Sequence, residues 1–158
     1  MARSGPFVPP ISFPWNEIIV TSDVRAHLEA SGFTGFAFLP VTYDKTVLIN
    51  WTDWETSADM PAKLPAGGEP ANYIERGKHA PELLTQMPAV WALHVPANPG
   101  LQIEGTARFD PAKAPETDIF RSYGLIWVTA RMATFFETHY ADWVTCTPSP
   151  KTLPASSI

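Results

Sequence analysis

The 158-residue chain has a single cysteine, Cys146, few charges and no long apolar run. One cysteine excludes a disulfide within the chain, and nothing in the cysteine usage points to an oxidising compartment. Charged residues make up 17% of the sequence, below the usual share of about 25%. Lys and Arg number 11 against 16 Asp and Glu, giving a net charge of −5, and the basic residues are scattered singly. Nucleic-acid binding needs clustered positive charge to displace counterions from phosphates, so no such partner is expected. No apolar stretch approaches the roughly 20 residues of a spanning helix. Prolines soon after Met1 break up any secretory apolar segment. The expectation is a soluble cytoplasmic protein with neither membrane nor nucleic acid as partner.

What is present is apolar material and proline. Hydrophobic residues reach 45%, enough for a packed core, and there are 17 prolines beside 9 glycines. One α+β domain over residues 1–147 is expected, followed by a flexible tail at 148–158. Pro6, Pro9, Pro10 and Pro14 favour an extended lead-in over residues 1–14. Residues 17–20 read as a buried strand, and Thr21, Ser22 and Asp23 offer N-cap oxygens for a helix over 23–32. Gly32 sits where a left-handed residue would end that helix. A strand over 36–43 contains Pro40, which cannot donate to a ladder and marks an edge or bulge. Residues 47–51 form another strand, and 53–71 a long Pro- and Gly-punctuated loop. Pro81 begins a helix running through Met87. Strands follow at 89–95, between Pro88 and Pro96, and at 101–109, with a second loop at 110–118. Residues 125–129 read as strand, 130–140 as helix and 143–147 as strand.

Residues 18–40 align without a gap on residues 126–148. Ile18, Val20, Thr21, Glu29 and Pro40 fall on the identical Ile126, Val128, Thr129, Glu137 and Pro148. Val24 and Leu28 fall on Met132 and Phe136, so an apolar i, i+4 pair recurs at the same helix positions. The pattern predicts two similar strand–helix–strand units, near 17–43 and 125–147, contributing to one mixed sheet with few short helices.

Residues that carry chemistry do not group by spacing. His27, His79, His94 and His139 show no metal-ligand pattern, so neither a metal nor another cofactor is expected. There is no phosphate-cradling glycine loop and no GxSxG nucleophile elbow. Cys146 lies in a strand-like run and reads as a buried, inert thiol. Trp15, Trp91, Trp127 and Trp143 lie within or beside strand candidates and read as packing residues. Trp51 and Trp54 differ, because Asp53, Glu55 and Asp59 surround them at the entry to the long loop. That aromatic, acidic stretch suits a sugar-stacking platform or a protein-binding patch, or a Trp folded back as a loop anchor.

Two segments carry a family resemblance. One is Asp118-Ile119-Phe120-Arg121, followed by Leu125 to Met132 and by Phe135-Phe136-Glu137. The other runs from Ile18 through Leu28-Glu29 to Gly32-Phe33-Thr34-Gly35. Together they resemble the closing pattern of bacterial polymorphic-toxin immunity proteins, the double-CxxCG family of myxobacterial-type toxin arrays. In that pattern a D-hydrophobic-F-R lead-in precedes a strand, a T/S-x-R helix start and a final strand. With one cysteine both CxxCG pairs are missing, so that family's metal-binding knuckle is not expected here. The resemblance implies an antitoxin: a protein that neutralises a cognate toxin by direct contact and performs no catalysis. An acidic chain suits a toxin with a basic surface, with Trp51, Asp53, Trp54, Glu55 and Asp59 as candidate contact residues. The alternative is a small enzyme or ligand-binding domain with a pocket between the repeated units, built on His94, Glu104 and Cys146.

Overall fold

Short strands and helices, most of them stopped by a glycine or a proline, make this an α+β protein. The computed structural model describes residues 1–5, 7–15, 17–48, 74, 77–98, 114–122 and 124–148. The expected loop at 53–71, the strand at 101–109, the first four residues of the loop at 110–118 and the tail after Pro148 lie outside these residues. In chain order come β1 (Ala2–Gly5), β2 (Ile11–Ser12), β3 (Ile19–Thr21), α1 (Ser22–Ala30), β4 (Ala37–Val41) and β5 (Lys45–Leu48). A 3₁₀ helix (Pro81–Gln86), β6 (Val90–His94), β7 (Ile119–Ser122), β8 (Leu125–Val128) and α2 (Ala130–His139) follow. The chain divides into two compact units, Met1–Ser31 with Ala37–His94, and Gly32–Phe36 with Val95–Ile158.

In the first unit a four-stranded antiparallel sheet has the order β2-β3-β6-β4. Val20 and Pro40 both face Trp91, and Phe38 faces Leu93, so these residues share one side of the sheet. Helix α1 covers that side through Val24 and Leu28, both essentially inaccessible. Burying a leucine this completely contributes about 2 kcal/mol. Gly32 follows the Ser31 C-cap at φ +65°, ending α1 in the left-handed conformation the sequence indicates. On the opposite side Ile19 and Val90 pack with Val8 and Met87, flanked by Met1, Val41, Tyr43 and Ala92.

Proline placement explains the rest of this unit. Pro40 lies in β4, an edge strand, where its missing donor is tolerated. Pro81 occupies the first turn of the 3₁₀ helix, and Met87, before Pro88, is extended at φ −89°, ψ 135°. The lead-in over residues 1–14 is more structured than its prolines suggest. β1 runs parallel to β5, and β2 pairs with β3, because residues 2–5 precede Pro6 and residues 11–12 fall between Pro10 and Pro14.

The second unit contains the β7–β8 hairpin, with Gly124 at φ +70° in its turn. Phe120 and Trp127 stand opposite each other and stack at 6.5 Å. Helix α2 buries Met132 and Phe136, the counterparts of Val24 and Leu28.

Three expectations need correction. Among the described residues there are three small sheets in place of one mixed sheet: β1–β5, the four-stranded sheet, and β7–β8. Residues 143–147 are not a strand. Trp143 and Val144 N–H groups donate to the Tyr140 carbonyl, folding the chain into a turn after α2, and no described strand partners the residues that follow. The second strand–helix–strand unit therefore lacks its last strand. The likeness of the two halves reduces to a strand, a threonine and a helix with a buried i, i+4 pair, which shows no duplication. Trp15 is not a packing residue, since it is 96% exposed.

Candidate functional site

The densest polar arrangement among the described residues surrounds Asp118. Residue 118 ends the segment entering β7 and is 8% exposed. A carboxylate so placed must be hydrogen-bonded or neutralised. Its Oδ2 accepts from the Thr34 N–H at 3.0 Å, the Thr34 hydroxyl at 3.3 Å and Arg131 Nη2 at 2.7 Å. Its Oδ1 accepts from the Thr129 hydroxyl at 3.0 Å and Arg131 Nε at 3.3 Å. The Asp118 backbone also takes part: its N–H donates to the Thr34 carbonyl, and its carbonyl accepts from the Thr129 N–H.

Burial alone would raise the Asp118 pKa. The hydrogen bonds from Arg131, the Thr34 N–H and Thr129, together with the charge of Arg131, outweigh it and hold the carboxyl below its usual range. Arg131 is held on its other side as well. Its guanidinium carbon lies 4.5 Å from the centroid of Phe33, which meets Phe135 edge-on at 5.2 Å.

Thr129 joins this cluster to the helix. It is the N-cap of α2, accepting from the Met132 N–H, while its hydroxyl proton goes to Asp118. Thr21 occupies the same position before α1 and makes no side-chain cap bond. Thr129→Ala is therefore expected to lower stability by about 1–2 kcal/mol and Thr21→Ala by only a few tenths. Urea titrations of the two variants check this, and equal losses would show that the cluster contributes nothing through Thr129.

Loop 32–35 fits against the cluster through a glycine. Gly35 is at φ +101°, and a Cβ there would collide with the Ile119 carbonyl oxygen and come within 2.8 Å of Thr117 Cβ. Thus Thr34 meets Asp118, Phe33 meets Arg131 and Gly35 packs against Ile119, although the two sets lie far apart in the chain. These are the residues of the D-hydrophobic-F-R, T-x-R and G-x-x-G elements. Sequence reasoning found the elements but missed Asp118 as their meeting point. The available signal was an acid and an arginine flanking a hairpin and a helix start.

Trp51, Asp53, Trp54, Glu55, Asp59 and Glu104 lie outside the described residues. His94 is exposed at the end of β6 in the first unit, and Cys146 lies in the second. Burial raises the Cys146 pKa, and the charge of Glu137 adds to the rise, so the group is held as a thiol and not as the nucleophilic thiolate. Among the described residues no three His, Cys, Asp or Glu side chains group as metal ligands, and no helix is long and apolar enough to cross a membrane. No protein-family model, curated protein or solved structure matches the chain.

Proposed function

We propose that this protein is an immunity protein that neutralises a cognate bacterial toxin in the cytoplasm by direct protein–protein contact, without catalysis or cofactor. The observation that carries this reading is the convergence on Asp118. Four of the residues in the segments that carry the resemblance, Thr34, Asp118, Thr129 and Arg131, form one hydrogen-bonded cluster. The cluster's chemistry is structural: the carboxylate is saturated by donors, which suits a rigid binding scaffold better than proton transfer.

Net charge supports the choice of partner. At −5 the chain attracts a basic toxin and speeds encounter more than it sets final affinity. Trp51, Asp53, Trp54, Glu55 and Asp59 are proposed as toxin-facing residues, with tryptophan as anchor and carboxylates as basic-residue partners. The test is calorimetric affinity of the Trp54→Ala/Glu55→Lys variant for the toxin encoded by the neighbouring gene. A loss of tenfold or more is expected. Unchanged affinity in a folded variant would remove this surface from the account.

A further inference from the structure

Trp15 combines two unfavourable features at one position. Its side chain is 96% exposed, the most of any large hydrophobic residue described, and its backbone sits at φ +58°. The left-handed region is uncommon for any residue with a Cβ and is an outlier for a bulky one. A glycine or asparagine would hold this turn with less strain and without placing an indole in water. The Glu17 N–H donates to the Pro14 carbonyl at 3.1 Å, so Trp15 stands at the tip of a tight turn and Glu17 at its foot. Two residues apart, their Cα atoms are at most about 7 Å from each other. Phe13, on the strand side of the same turn, is half exposed.

The first unit itself shows what a tryptophan and a glutamate hold between them. The Arg25 guanidinium carbon lies 3.9 Å from the Trp91 ring centroid and 5.5 Å from that of Phe38, and Arg25 Nε donates to Glu29 at 2.8 Å. The ring attracts the cation through its quadrupole, and the carboxylate takes its N–H groups. Trp15 and Glu17 present the same two groups, and neither side chain has a partner among the described residues. The chain's negative charge favours a cationic occupant over an apolar or acidic one.

We infer that the turn Pro14–Glu17 is a docking point for an arginine-bearing segment of a partner protein, the guanidinium stacking on Trp15 and pairing with Glu17. This deepens the toxin-binding reading, on which the identity of the partner rests, by naming the chemistry that the partner presents.

The test uses the full chain and a blocked hexa-arginine peptide at low ionic strength, followed by the indole N–H resonances. The Trp15 resonance, identified by its absence in Trp15→Gly, is expected to shift on titration. Trp15→Gly leaves the net charge unchanged and suits the positive φ, so it is expected to fold at least as stably as the wild type. Its affinity for the peptide is expected to fall roughly fivefold. A Glu17→Gln variant is expected to fall about threefold. An unmoved Trp15 resonance, or equal affinity in Trp15→Gly, overturns the proposal. Failure of toxin binding by the wild-type chain overturns the immunity reading instead, so the two failures are distinguishable.

Discussion

Gly35→Ala is expected to lower stability by roughly 3 kcal/mol or more. Two effects add at this position. At φ +101° any L side chain is strained by about 1–3 kcal/mol. The added methyl also enters space held by the Ile119 carbonyl and Thr117, and neither is the free end of a flexible side chain. Ile119 is fixed in β7 by its pairing with Val128, and Thr117 by its hydroxyl bond to the Ile119 carbonyl. The loop must therefore move, which breaks the Thr34 bonds to Asp118. Gly32→Ala supplies the comparison. Gly32 is at φ +65° with open space around it, so alanine there carries only the backbone term, about 1 kcal/mol. Urea unfolding of the two variants checks the difference, and equal losses would show that the close approach at Gly35 is unimportant.

Asp118→Asn is expected to cost about 2–3 kcal/mol at pH 7. The amide keeps one acceptor but turns its NH₂ toward groups that are themselves donors, leaving Arg131, Thr34 or Thr129 unpaired. The Arg131 side chain is 58% exposed, so water satisfies part of its loss and keeps the figure below that of a fully buried pair. The effect also depends on pH. The folded Asp118 pKa lies below that of the unfolded chain, so on acidification the unfolded state takes up the proton first. The stabilisation from ionised Asp118 is complete above the ordinary carboxylate pKa of about 4 and is lost as pH falls through the folded value. The stability gap between wild type and Asp118→Asn is therefore expected to narrow below about pH 4. A gap that stays constant from pH 7 to pH 3 would mean that the charge of Asp118 contributes nothing.

What could be read from the sequence was mostly local. Pro40 at an edge, Pro81 in a first turn, Gly32 after α1 and the i, i+4 pairs at Val24/Leu28 and Met132/Phe136 are each decided within a few residues. What was missed depended on distant partners. β2 is two residues long and exists because β3 lies beside it, a pairing that no periodicity announces. β7 reads as a lead-in until Leu125–Val128 folds back on it. Residues 143–147 alternate like a strand, yet no described strand pairs with them, and alternation without a pairing edge does not make a ladder. Trp15 looked like core because it adjoins a strand. Its place at the tip of a turn turns it outward.

The Asp118 cluster shows the same limit. Asp118, Thr129 and Arg131 are close in sequence, and their relation to the hairpin and helix start was partly visible. Thr34 and Gly35, more than eighty residues earlier, complete the cluster only after folding. Motif reading therefore found the residues without their joint role.

The central claim is that this chain binds a toxin directly and in a fixed ratio. Calorimetric titration of the wild-type chain into the purified protein encoded by the neighbouring gene, the proposed toxin, tests it most directly. The account predicts saturable binding at an integral ratio that weakens as ionic strength rises, together with loss of the toxin's activity at the same ratio. No heat of binding with a folded toxin, or binding that leaves the toxin fully active, would contradict it.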